Sequence, residues 1–178
     1  EIYRQALSSV CLPDCTRTLG GEKAVKKLHE EADGLHIELS FGFPTAHLWD
    51  GLAERIQTAL AAAGNTLPLH IEIATEIATH KVQPGVVTIK GVKNIIAVAS
   101  GKGGVGKSTT TANLAMAMAR MGARVGVLDA DLYGPSQPTM LGVQDRKPDQ
   151  ENKKLIPVEA DGGIQVMSIG FLVDTDQA

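Results

Sequence analysis

The sequence predicts an α/β chain in two parts. A small α+β domain over residues 1–81 is joined by a linker at 82–91 to a segment built on parallel sheet over 92–178. Three observations predict this. Apolar residues alternate over 35–43 and again over 67–73, the period of half-buried strands. Between them Leu48, Leu52, Ile56, Ala59, Leu60 and Ala63 recur at helical spacing. Finally, the short apolar run 94–100 suits a strand buried on both faces, and it leads straight into a glycine-rich loop.

Each element has its own local signal. Ile2, Ala6 and Val10 lie at i, i+4, i+8, which predicts a helix over 1–10, broken at Cys11-Leu12-Pro13-Asp14-Cys15 because Pro13 lacks an N–H. Residues 24–30 are ambiguous, but Ala32-Asp33-Gly34 signals a turn into the strand at 35–43. Thr45 can cap the following helix, and Gly64-Asn65 closes it. Gln83-Pro84-Gly85, with Gly91, marks the junction. Ser108 to Met121 carries Leu114, Met118 and Met121 at i, i+4, i+7, a stripe suited to lying on a sheet, with Gly122 as its stop. Residues 124–128 predict a second buried strand. Residues 142–154 read as a polar loop, and 155–156 and 164–169 as two short strands.

The loop carries the chemistry. Gly101-Lys102-Gly103-Gly104-Val105-Gly106-Lys107-Ser108 satisfies G-x-x-x-x-G-K-[ST], and with its strand and helix it predicts the first part of a P-loop NTPase (parallel-sheet) domain. Glycines let successive N–H groups turn inward on phosphate oxygens, and the helix N-terminus adds partial positive charge. Lys107 can reach the β- and γ-phosphates of ATP, and the Ser108 hydroxyl can serve Mg²⁺. Lys102 is not required by the general motif and on its own reads as a solvated charge. The strand at 124–128 delivers Asp129 and Asp131 to the same sheet edge, where carboxylates suit Mg²⁺ coordination or alignment of an attacking water.

Composition excludes several classes. A net charge of −3 without a dense Lys/Arg block gives no support for nucleic-acid binding. No apolar run approaches the ~20 residues needed to span a bilayer, so no membrane partner is expected. Two cysteines make no disulfide framework, and the cytoplasm is the expected location. Cys11 and Cys15 are spaced C-x₃-C around a proline, which is not a common ligand spacing, and read as ordinary thiols. His29, His36, His47, His70 and His80 are scattered without a ligand pairing and read as surface or edge residues. Trp49, beside the apolar stripe, reads as packing.

The loop G-K-G-G-V-G-K-S, the run Val92 to Val98, D-A-D-L-Y-G-P-S-Q-P-T-M-L-G at 129–142 and M-S-I-G-F-L-V at 167–173 resemble the Mrp (ApbC) iron–sulfur cluster carriers. These belong to the deviant Walker A class of MinD/ParA-like ATPases. The N-terminal part looks like the iron–sulfur-assembly domain that precedes the ATPase in bacterial members. The resemblance implies an ATP-binding homodimer that transfers [4Fe–4S] clusters from an assembly scaffold to apo-proteins, with slow hydrolysis at the interface. It implies cofactor contacts from Gly101, Lys102, Gly103, Gly104, Val105, Gly106, Lys107, Ser108 and Thr109. It makes Lys102 the signature lysine that reaches a partner's nucleotide, gives Asp129 and Asp131 catalytic roles, and assigns Ser108 and Asp129 to Mg²⁺. The alternative is a ParA/MinD-type positioning ATPase acting on DNA or membrane.

No C-x-x-C pair and no second apolar strand ending in Asp follow the 129–135 segment. The expectation is therefore that the cluster ligands and Walker B lie outside this sequence, and that this chain alone hydrolyses little ATP.

Overall fold

The alternation at 35–43 becomes the central strand of a three-stranded sheet. The computed structural model describes residues 1–13, 15–79 and 89–172. Most of the expected linker lies outside them, as do Asp14, His80 and Val173. The chain divides into two compact units, Glu1–Ile95 and Ile96–Ala178.

In the first unit β1 (Val25–Glu31) and β2 (Gly34–Phe41) form an antiparallel hairpin, and β3 (Leu69–Thr75) pairs parallel to β2. The ambiguous stretch at 24–30 is thus a strand. A parallel neighbour needs a crossover, which α2 (Trp49–Ala62) supplies. Leu35, Ile37, Leu39 and Phe41 point to one face of β2 and are each at most 2% exposed. They pack with Leu52, Ile56 and Leu60 of α2 and with Leu7 of α1 (Ile2–Ser9) in one core. The buried face of α1 is set by Leu7, followed by Val10, whereas Ile2 is 69% exposed. Gly64, at φ 89°, closes α2 as expected.

Two local expectations fail in this unit. Thr45 does not cap a helix with its side chain. A 3₁₀ turn at Ala46–Leu48 intervenes, and the Thr45 hydroxyl instead lies 3.1 Å from that of Thr75 and accepts from Trp49 Nε1 at 3.3 Å. That bond holds Trp49 beside the helix start, half exposed rather than in the core.

In the second unit β4 (Gly126–Asp129) pairs parallel to β8 (Ile164–Ser168), and β7 (Val158–Ala160) pairs antiparallel on the other side of β8. The strands near 155–156 and 164–169 form as expected, whereas β4 starts two residues later than the expected 124–128 and is buried on one face only, with Leu128 74% exposed. The stretch 142–154 is more ordered than the polar-loop reading. It contains a hairpin of β5 (Asp149–Glu151) and β6 (Lys154–Ile156), turned by Asn152 and Lys153 at φ 50° and 61°. Two successive positive φ values match strand twist in a two-residue hairpin.

The run 94–100 is not a strand. It has no ladder partner among the described residues, and Ile95 and Ile96 are 73% and 59% exposed. An apolar run becomes a strand only where backbone partners and cover exist, and β4 pairs with β8 alone. The helix α3 (Lys107–Arg120) forms, but it buries Ala112 and Ala115 rather than the Leu114 face. Leu114 is 38% exposed. Small residues let the helix approach closely, and the Ala119 methyl lies 3.7 Å from where a Cβ on Gly162 would sit.

Trp49 is the single tryptophan, so its fluorescence reports on the first unit. Ile56 is fully buried between helix and sheet. Ile56→Ala should lower the stability of this unit by about 2–5 kcal/mol, read as a shift in the urea midpoint of Trp49 fluorescence.

Candidate functional site

The loop at 101–106 is built by backbone conformation. Gly104 and Gly106 lie at φ 72° and 87°, values that a residue with a Cβ adopts only with strain. Gly106 is the N-cap residue of α3, so the helix starts at Lys107 as the motif requires. Ser100 Oγ accepts from the Lys102 amide at 3.1 Å and donates to the Lys102 carbonyl at 3.2 Å, which pins the loop entrance. Among the described residues, the amides of Gly103, Gly104, Val105 and Gly106 donate to no protein acceptor. They are exposed at the positive end of a 14-residue helix. This donor set fits a phosphate.

Asp129 ends β4 and is 8% exposed. Its Oδ1 accepts from the Asp131 amide at 3.1 Å. Its Oδ2 accepts from the amides of Ser136 and Gln137 at 2.9 and 3.0 Å and from Ser168 Oγ at 3.3 Å. The carboxylate thus ties β4 to β8 and to the start of the short helix α4 (Gln137–Met140). Gln137, itself buried, donates from Nε2 to the Ser108 carbonyl at 3.1 Å. A chain of hydrogen bonds therefore runs from Asp129 through Gln137 to the first turn of α3. Asp131 stands apart. It is exposed, and its Oδ1 accepts from the Gly134 amide at 3.2 Å.

The motif spacing thus puts Asp129 in contact with the P-loop helix through one intermediary, Gln137, which sequence reasoning missed. A Gln in a D-x₇-Q spacing carries no signal of its own; only the turn at 131–136 folds it back. Ser108 and Lys107 sit in the first turn of α3, half-buried, and Lys102 and Thr109 are exposed. Cys11 and Cys15 are exposed free thiols.

A second constellation also escaped the sequence. Pairing of β1 with β2 sets His29 opposite His36, and pairing of β2 with β3 sets His36 opposite His70. The three rings stack on the uncovered face of the sheet. Asp33, on the turn between β1 and β2, hydrogen-bonds His36 Nε2 at 2.9 Å. That bond holds the His36 pKa above its ordinary 6.5 and the Asp33 carboxyl below its ordinary 3.8.

A glycine loop with exposed amides that meet no protein acceptor, backed by a helix N-terminus and an acidic strand end, defines a P-loop nucleotide-binding unit. Residues 91–178 match the family described as ParA, NUBPL iron-transfer P-loop NTPase, and this part of the chain belongs to it. The iron-sulfur cluster carrier protein of Haemophilus influenzae is 44% identical over 155 residues, 86% of this chain and 42% of that protein. That of Pseudomonas fragi is 51% identical over 121 residues, 67% of this chain and 42% of that protein. That of Bacillus subtilis is 37% identical over 180 residues, 96% of this chain and 51% of that protein. The chain therefore spans about half the length of these relatives. A solved nucleotide-binding protein in complex with ADP from Archaeoglobus fulgidus is 53% identical, with 42% of this chain and 31% of that one covered and a TM-score of 0.40. No helix among the described residues is long and apolar enough to cross a membrane.

Two measurements test these networks. Asp129→Ala should leave three amides and the Ser168 O–H without their acceptor and cost at least about 2 kcal/mol, with faster hydrogen exchange at Ser136 and Gln137 than in the parent. For the Asp33–His36 pair the signs are opposite on the two flanks. The His36 contribution is complete below the ordinary 6.5 and is lost as pH rises through its raised value. The Asp33 contribution is complete above the ordinary 3.8 and is lost as pH falls through its lowered value. His36→Gln should therefore lower the thermal midpoint most between about pH 4 and 6.5, and the difference from the parent should shrink by about pH 9.

Proposed function

We propose that this chain is the nucleotide-binding part of an iron–sulfur cluster carrier that binds ATP on Gly101–Thr109. The observation that carries the reading is the exposed, protein-free amide set of Gly103–Gly106 at the N-terminus of α3. The names of the homologous carriers support an iron–sulfur cluster as the cargo; in this reading it is a [4Fe–4S] cluster, and a scaffold and apo-proteins are the partners.

In this reading the Gly103–Ser108 amides and the Lys107 ammonium hold the β- and γ-phosphates and offset the charge that develops during hydrolysis. Mg²⁺, which neutralises charge between those phosphates, fits the Ser108 hydroxyl. It also fits the one acceptor position left on Asp129 Oδ1 after the Asp131 amide bond. Asp131, exposed and with one oxygen outside the Gly134 contact, orients the attacking water, while Asp129 holds the segment that carries it. Lys102, exposed at the loop entrance, reaches the nucleotide of a second copy across a two-fold axis. Residues 1–81 act as the assembly-like domain ahead of the linker at 82–91, and the carrier works as a cytoplasmic homodimer. The cluster is carried on thiols other than Cys11 and Cys15.

Calorimetry and sedimentation on the chain separate these roles. Lys107→Ala should weaken ATP binding about tenfold or more, because it removes a charge on the phosphates. Lys102→Ala should keep ATP affinity within about threefold yet lose ATP-dependent dimerisation. Unchanged ATP binding in Lys107→Ala overturns the phosphate assignment. ATP-dependent dimers in Lys102→Ala overturn the role in trans.

A further inference from the structure

Two imidazoles of the first unit, His36 and His70, converge on one carboxylate. Register alone puts His36 and His70 on the same face of adjacent parallel strands, with ring centroids 4.5 Å apart and planes 18° from parallel. The Asp33 carboxylate lies between their Nε2 atoms, with Oδ1 2.9 Å from His36 and Oδ2 3.6 Å from His70. We propose that Asp33, His36 and His70 form a binding site for a borderline divalent transition-metal ion such as Zn²⁺, separate from the nucleotide loop.

The distances suit an ion. Bonds of about 2.0–2.1 Å in tetrahedral geometry place ligand atoms roughly 3.3 Å apart. The two observed separations, 2.9 and 3.6 Å, bracket that value. A chelating carboxylate and two imidazole nitrogens are the donors that Zn²⁺, Co²⁺ and Fe²⁺ favour, and three protein ligands leave outer positions open to water.

The ligands are also held in place without the ion. Asp33 precedes Gly34, whose backbone passes so close to β3 that a Cβ there would lie 2.4 Å from the Pro68 carbonyl oxygen. Gly34 sits at φ 151°, and the next amide, Leu35, donates to that same carbonyl at 2.8 Å. The turn is therefore clamped to β3, and the Asp33 carbonyl lies 3.2 Å from His70 Nε2. His36 rides on the most buried strand of the sheet and His70 on its parallel neighbour, so the backbone positions of all three are fixed by the core beneath.

A competing set shares His36. His29 Nε2 is 2.9 Å from Glu31 Oε1, and both could join His36 around an ion. Both of these side chains stand on β1, an edge strand as β3 is, whereas the Asp33 turn is tied through Leu35 to the Pro68 carbonyl just ahead of β3. The His29 and His36 rings are also farther apart, at 5.5 Å. The Asp33 set is the better built.

The test is Zn²⁺ calorimetry on the nucleotide-free chain at about pH 7.5, with Cys11→Ser and Cys15→Ser in place so that no thiol competes. The site predicts one Zn²⁺ bound with a dissociation constant on the order of micromolar. His36→Ala and His70→Ala should each weaken it about tenfold or more, Asp33→Asn by a similar factor, and His29→Ala by less than about threefold. Cu²⁺ in place of Zn²⁺ should give an electron paramagnetic resonance spectrum with coupling to two nitrogens, falling to one in either single His variant. Trp49 fluorescence and circular dichroism show that each variant is folded. The proposal is overturned by the absence of saturable binding, by His70→Ala binding like the parent, or by loss of binding in His29→Ala with His70→Ala intact.

Discussion

The second unit depends on the Asp129 carboxylate. One buried side chain takes hydrogen bonds from three backbone amides and a hydroxyl, contributed by the turn at 131–137 and by β8. A carboxylate buried with this many donors is far cheaper than one without, and each donor it serves would otherwise be an unpaired polar group. Because Gln137 continues the chain to the Ser108 carbonyl, the conformation of the acidic turn and that of the phosphate loop are mechanically linked.

In the first unit the organising constraint is the parity of strands. Every second residue of β2 enters a core covered by α1 and α2, so the intervening residues are committed to the opposite face. That face carries Lys27 paired with Glu38 at 2.8 Å as well as the histidine ladder. A one-residue slip in either ladder would bury charges and imidazoles and expose Leu35, Ile37 and Leu39. Burial of the apolar face therefore fixes the polar one, and the stacking of the three imidazoles follows from the core although none of them belongs to it.

Much of this was legible in the sequence, and the failures share a cause. The alternation at 35–43, the stripe from Leu48 to Ala63 and the glycine loop each read correctly because each is a local pattern with one physical solution. The loop conformation was readable for the same reason: only glycine suits positions 104 and 106. Signals that need a partner in space were not readable. His29, His36 and His70 are scattered along the chain and become neighbours only once two ladders are in register. The Leu114 face of α3 looked like the buried one because leucine and methionine are larger than alanine. Close approach to the sheet and to Gly162 favours the smaller side. The turn at Asn152-Lys153 hid because only Asn carries a left-handed preference, and Lys follows it at φ 61° against its own.

The failed strand at 94–100 shows what an apolar run means when its neighbours are few. Parallel strands are stable when both faces are covered. Here β4 buries Val127 and Asp129 while Leu128, on the opposite face, is 74% exposed. Ile95, Ile96 and Leu132 are likewise open. Among the described residues the nucleotide unit rests on a small core around Val127, Ile164, Val166 and Phe171, whereas the first unit closes a larger one between helices and sheet. A unit with a small core gains proportionately more from anything that binds only its folded form. Under the proposed reading a phosphate would engage the N-terminus of α3, the same helix that packs Ala115 into that core. Ligand binding would then add to the stability of the unit through one helix.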